Sequence, residues 1–361
     1  MTRSPSWQPD SWRTRPIEQQ PQYAKPRSRP TEWIDGTEVH SYRGDHVNGF
    51  EPDQREPDPR RLVEATFRSA ATLNYVRALI DGGFADLHHP EHWDLAFVRN
   101  AARREAYEDI VQRILNALDF VESTGVRGSD ALRSVDFYTS HEGLLLAYEQ
   151  AQTAQVNGDW YNLGAHMLWI GNRTRQLDGA HVEYFRGVAN PIGIKVGPGM
   201  APEDLLALLD RLEPDDRPGR ITLISRFGAD GIQQGLPPLV DAVRASGRTV
   251  LWSCDPMHGN TVSTDQGFKT RHVGKVLEEL RQAIEIHDRL GGHLGGVHFE
   301  LTGDNVTECV GGPEELQADD LSTSYRTFCD PRLNYAQSLE MAFLLADGLR
   351  GRRKGSTPQT R

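Results

Sequence analysis

The sequence predicts an α/β protein of the (β/α)8 TIM-barrel type with an incomplete sheet. Three observations lead there. Short, nearly continuous apolar runs alternate with helical patterns through the later part of the 361 residues, as in parallel strands covered by helices on both faces. Charged side chains follow the carboxyl ends of those runs, the end at which a barrel opens its functional face. No Gly-x-Gly-x-x-Gly follows a strand, which disfavours a dinucleotide-binding sheet. Six runs are convincing strands, where a full barrel has eight.

Residues 1–60 are rich in Pro, Arg and Gln with little periodicity, and are read as an extended segment. Helical spacing begins at Arg60 in "RRLVEATFRSAATLNYVRALI", and a second long helix is predicted in "REAYEDIVQRILNALDFVEST", stopping at Gly125. The strand runs are "VDFYTS", "AHMLWIG", "PIGIKVGPG", "ITLISRFG", "TVLWSC" and "GGVHFELTG". Between them helices are predicted at 142–156, 176–188, 202–212, 232–246 and 275–290. Ser338–Leu349 closes a barrel domain of residues 61–349, and 350–361 read as a flexible tail.

Composition narrows the function. The chain carries 40 basic and 51 acidic side chains, net −11, with no sustained basic block, so nucleic acid is not an expected partner. Three cysteines, Cys254, Cys309 and Cys329, are too few and too scattered for a disulfide framework. No apolar run approaches the roughly 20 residues that span a bilayer, and the first residues are polar, unlike a signal peptide. The expectation is a cytoplasmic protein without membrane contact.

The stretch "LWSCDPMHGNT", residues 251–261, ends a strand-like run in a thiol, a carboxylate and an imidazole. Pro256 and Gly259 forbid a helix, so these groups sit on a loop at a strand end. A turn whose Asp and His only satisfy backbone groups would read the same way. Similar groups recur: Arg173 and Arg175 follow "MLWIG", Lys195 ends "GIKVG", Arg226 ends "TLISR", Glu300 ends "GVHFE", and Asp330 lies in "FCDPRLN". Singly, each cation could pair with an acid, and His298 could be a satisfied core residue. In a barrel they converge.

The convergent groups divide chemically. His258, Glu300 and Asp330 offer one nitrogen and two carboxylates, a set suited to Mn²⁺, Co²⁺ or Fe²⁺. Arg173, Lys195 and Arg226 offer fixed positive charge, with guanidinium forks that match phosphate and carboxylate. Together they suggest a small phosphorylated anion and Lewis-acid chemistry on a carbonyl. In "YAKPRS", Lys25, Arg27 and Ser28 could hold one phosphate or be a solvated basic loop.

The motifs "QYAKPRS", "SYRGDHVNGF", "WIGNRTRQLDGAHVEYFRGVANPIGIKVGP", "CDPMHGNT", "GFKTRH", "HFELTGDNVTECVGG" and "CDPRLNYAQSLEMAFLLA" resemble the class II 3-deoxy-D-arabino-heptulosonate 7-phosphate (DAHP) synthases from about Tyr23 to Leu349. The resemblance implies a (β/α)8 barrel that condenses phosphoenolpyruvate (PEP) with erythrose 4-phosphate, the first step of the shikimate route to aromatic amino acids. It implies His258, Glu300 and Asp330 as ligands of a divalent metal, Mn²⁺ or Co²⁺. Arg173, Lys195 and Arg226 would bind PEP, and Lys25, Arg27 and Ser28 the aldose phosphate. Lys195 and Glu300 would be the catalytic pair handling the proton of the water that adds to C2.

The sequence also departs from that family. The Gly-Gly-Asp-Cys-Ala-Glu motif, whose cysteine is the family's fourth metal ligand, is absent. Glu18 stands where the family has a PEP-binding arginine, and Asn172 where it has glutamate. An internal deletion of the first strand and most of the second would explain these differences and the count of six. His46 is a candidate replacement ligand, with a surface role as the alternative. Two other functions remain: a related PEP aldolase with a different aldehyde, or a non-catalytic relative that binds a ligand or partner. Unpaired sheet edges would favour a homo-oligomer or a completing partner protein.

Overall fold

A computed structural model describes residues 30–83, scattered positions between 105 and 116, and 136–355. Two compact units separate: Met1–Leu73 with Tyr138–Asn260 and Glu278–Phe299, and Asn74–Phe137 with Thr261–Leu277 and Glu300–Arg361.

The chain opens with the hairpin β1 (Thr31–Ile34) and β2 (Thr37–His40), followed by helix α1 (Pro59–Asp81). This hairpin falls inside the segment read as extended. Its turn is Asp35–Gly36, both at positive φ (47° and 79°), the conformation a two-residue hairpin turn requires. The helix predicted after residue 104 lies largely outside the described residues.

The rest of the first unit is built on β3 (Ser140–Glu142), α2 (Leu146–Ala151), the hairpin β4 (Thr153–Val156) and β5 (Asp159–Asn162), β6 (Met167–Ile170), α3 (Ala180–Gly187), β7 (Ile192–Val196), α4 (Pro202–Leu212), β8 (Ile221–Ser225), α5 (Ile232–Ser246), β9 (Leu251–Cys254) and β12 (Leu294–Val297). Six of these strands form one sheet in the order β12-β9-β8-β7-β6-β3, and all its pairings are parallel. Among the described residues the sheet ends at β3 and β12, which is the architecture of an incomplete (β/α)8 barrel.

Burial explains why the strands read as unbroken apolar runs. Every residue of β6, β7 and β8 is buried. Gly193 lets Met167, Trp169 and Ile224 close over β7, since a Cβ there would lie 2.7 Å from Met167 Cε and from Trp169 Cβ. The covering helices are amphipathic. In α4, Leu205, Leu208, Leu209 and Leu212 are buried at i, i+3, i+4 and i+7, each stabilising by about 2 kcal/mol. Pro202 starts that helix, Glu203 and Asp204 occupy its first turn and Arg211 its last, matching the helix dipole.

Two expectations are corrected. The strand read in "VDFYTS", residues 135–140, begins only at the last of these, at Ser140–Glu142. Its pattern is polar because His141 is buried against Glu149 (2.9 Å) and not against an apolar face. The helix expected over 142–156 is confined to α2, because Asn157 and Gly158, at φ 54° and 97°, turn the chain into β4–β5.

The second unit contains the hairpin β10 (Thr261–Ser263) and β11 (Lys269–Arg271), a 3-10 segment at Ala318–Thr323 and helix α7 (Tyr335–Gly355). Parallel bridges join His272 to Val310 and Leu301 to Leu333. Helix α6 (Val273–Arg289) runs from this unit into the first.

Candidate active site

In the first unit the ladder continues one residue beyond the assigned strands. Arg226 N donates to Val196 O (2.9 Å), Asp255 N to Ser225 O (2.7 Å) and His298 N to Cys254 O (2.8 Å). Parallel register therefore sets Lys195, Arg226, Asp255 and His298 at adjacent carboxyl ends of β7, β8, β9 and β12.

Asp255 is the hub of this end, although sequence reasoning assigned it no role. Its carboxylate is fully buried. It accepts from Lys195 Nζ, which reaches across the intervening β8, and from His258 Nδ1 at 2.8 Å. The backbone N–H groups of Met257 and His258 also donate to it, at 3.1 and 3.2 Å. Burial alone would push its pKa up, but His258, Lys195 and His298 outweigh that and hold it well below the ordinary carboxylate range. The loop spacing of Asp255 and His258, i and i+3, was the signal for this pair.

Lys195 is thus an ion-paired lysine, 5% exposed, with its ammonium 5.8 Å from the Trp169 ring centre. Arg226 donates from Nη2 to His258 O at 2.7 Å, and its buried Nε has no hydrogen-bond partner among the described residues. Arg175 donates from Nη1 to Lys195 O (3.0 Å) and Met200 Sδ (2.9 Å). Burial and then the Arg226 charge lower its pKa to about 10. Two arginines beside a buried lysine form a surface suited to an anion. Arg173 is exposed in the turn after β6.

Cys254 is fully buried, and burial pushes its thiol well above its ordinary value. The thiol of the 251–261 stretch is therefore a packing group, not a reactive thiolate.

In the second unit, Glu300 accepts from Arg271 Nη1 at 2.6 Å, and Asp330 from Lys269 Nζ at 3.4 Å. Arg271 is wholly buried; it also donates to Pro331 O and, through Nε, to Thr261 Oγ1 at 2.9 Å. The loop bearing Asp330 is fixed by Glu308, likewise buried, which accepts from the Arg332 side chain and from Arg326 N and Arg332 N. Neither Arg271 nor Glu308 was assigned a role from sequence. Their partners lie 29 and 24 positions away, and no local spacing announces them. Lys25, Arg27 and Ser28 lie outside the described residues.

The donor chemistry fits a divalent metal. His258 has its Nδ1 held by the buried Asp255 carboxylate, the kind of support that metal-binding imidazoles usually have. Glu300 and Asp330 are carboxylates held by cations of their own unit.

A parallel α/β sheet with a buried Lys–Asp–His linkage at its carboxyl ends defines a barrel-type enzyme. The model of the class-II DAHP synthetase family matches residues 19–346, and the chain belongs to that family. It is 51% identical over 358 residues to a phospho-2-dehydro-3-deoxyheptonate aldolase of Neurospora crassa, covering 94% of this chain and 74% of that protein. It is 50% identical over 330 residues to a Streptomyces coelicolor protein of the same name, covering 90% of this chain and 73% of that one. The family implies a divalent metal and the substrates PEP and erythrose 4-phosphate. No helix among the described residues is long and apolar enough to cross a membrane.

Proposed function

We propose that this chain condenses PEP with erythrose 4-phosphate, releasing phosphate, as the first step of the shikimate route. The observation that carries this reading is the Asp255 hub, which fixes the buried Lys195 and the ring of His258 to one carboxylate beside Arg226. Arg226, Lys195 and Arg173 bind the carboxylate and phosphate of PEP. Lys25, Arg27 and Ser28 hold the phosphate of the aldose.

His258, Glu300 and Asp330 hold the metal, with Mn²⁺ or Co²⁺ the proposed ion. When bound, the metal supplies Lewis-acid polarisation of the aldehyde carbonyl. C3 of PEP bonds to that carbonyl carbon, water adds to C2, and the C2–O bond to phosphate breaks. Glu300 takes up the proton of that water, the Lys195 ammonium gives one to the former aldehyde oxygen, which becomes a hydroxyl, and Asp255 keeps Lys195 oriented for it. The chain works in a soluble compartment, proposed to be the cytoplasm, as a homo-oligomer or with a completing partner.

The test is PEP consumption by the isolated chain with erythrose 4-phosphate and Mn²⁺ or Co²⁺. Turnover is the expected result. Phosphate release only with another aldehyde would select a different acceptor, and PEP binding without turnover under any of these conditions would overturn the enzyme reading.

A further inference from the structure

Glu279 lies on α6; its carboxylate is fully buried and its two oxygens hold two different loops that follow strand ends. One oxygen accepts from Phe227 N at 2.7 Å, directly after Arg226. The other accepts from Asn260 Nδ2 at 2.7 Å, two residues after His258. Asn260 repeats the bridge: Nδ2 also donates to Pro256 O (2.8 Å), and Oδ1 accepts from Ala229 N (3.0 Å). One turn further along α6, Gln282 Nε2 donates to Ala229 O at 3.0 Å.

The loops meet without side chains between them. A Cβ on Gly228, which has φ +81°, would lie 2.7 Å from Gly259 O, and a Cβ on Gly259 would overlap Gly228 N. Arg226 Nη2 on His258 O closes the same junction from the other side. The 226–229 and 256–260 loops therefore move as one piece or not at all, and the helix carboxylate fixes that piece to α6.

We infer that Glu279 is a positioning residue that locks the anion-binding Arg226 loop to the metal-binding His258 loop, so that occupancy of either site orders the other. The inference rests on the assignment of Arg226 to PEP and His258 to the metal. The donors to the Glu279 carboxylate are divided between the two loops that carry the two ligand-binding residues. In the Gln variant one oxygen is retained for Phe227 N, but an NH₂ group is set against the Asn260 NH₂, so the two loops are released from each other with little change of volume.

The test is calorimetric titration of full-length Glu279→Gln with Mn²⁺ alone, with PEP alone, and with Mn²⁺ in saturating PEP. Asn260→Ser, which removes the other half of the bridge, is measured in parallel. Both variants are expected to bind each probe at least about tenfold more weakly, as when an orienting partner of a ligand is removed. The factor by which PEP raises Mn²⁺ affinity is expected to fall towards one. Arg226→Ala and His258→Ala serve as controls. If the controls lose PEP and Mn²⁺ binding respectively while Glu279→Gln and Asn260→Ser retain both affinities and the wild-type coupling factor, the clamp is overturned and the site stands. If the controls bind as wild type, the site assignment falls and the clamp with it. Should Glu279→Gln fail to fold, an unchanged coupling factor in Asn260→Ser alone overturns the inference.

Discussion

Arg271 donates to the Glu300 carboxylate at 2.6 Å from a side chain with no solvent exposure. The same guanidinium reaches Thr261 and Pro331 O, so it ties the β10–β11 hairpin to the stretches carrying Glu300 and Asp330. Arg271→Met should destabilise the protein by roughly 3 kcal/mol, the low end for breaking a buried pair because Glu300 keeps some solvent. Arg271→Lys should recover little of this, since an ammonium lacks the fork that serves three acceptors. Urea unfolding checks both; a loss below about 1 kcal/mol in Arg271→Met, no more than a surface pair gives, would refute the role.

Asp255 neutralises Lys195 at a site where water does not. Asp255→Asn should leave that ammonium buried without its counter-charge, costing roughly 3–5 kcal/mol unless Lys195 loses its proton. Mn²⁺ affinity should drop about 10- to 100-fold as His258 loses its orienting partner. Calorimetry with Mn²⁺ and denaturant unfolding read the two effects separately.

Glu279 gives a pH dependence of defined sign. Burial first, with repulsion from Asp255, raises its pKa from 4.5 to about 7 against the opposing donors Phe227, Gly228 and Asn260. A carboxyl group raised in the folded state contributes stability that is complete below about pH 4.5 and lost as pH rises through about 7, a swing of about 3 kcal/mol. Wild type minus Glu279→Gln should therefore decline by that amount between pH 4.5 and 8 in unfolding experiments. A flat difference would show that the carboxylate is not desolvated.

Glu308 carries the Asp330 loop through donors on Arg326 and Arg332. Glu308→Ala should leave those donors unsatisfied, at about 1–3 kcal/mol for each one left buried. The amides of Arg326 and Arg332 should lose hydrogen-exchange protection while those of β7 and β8 keep theirs. Equal loss throughout would mean global destabilisation in place of local release.

Much of this molecule follows from sequence alone. The runs at 192–196 and 221–225 are apolar because both sheet faces are covered, and helices 202–212 and 232–246 coincide with their predicted spans. The family, the six-strand count and the carboxyl-end positions of Lys195, Arg226 and His258 were likewise legible, because period and strand-end position are local properties. Strand β3 was displaced in the prediction because its buried residue, His141, is paired with Glu149 and not apolar. The β4–β5 turn was missed although Asn157–Gly158 is a strong hairpin signal.

Only the tertiary structure could decide which charges answer which. Nothing near Lys195 in sequence points to Asp255, 60 residues away, nor does anything near Arg226 point to Glu279 on α6. Chain periodicity specifies where a side chain leaves its element. The partner that makes a buried charge tolerable is chosen by packing, because desolvation leaves such a group stable only where a complementary charge or donor is brought to it.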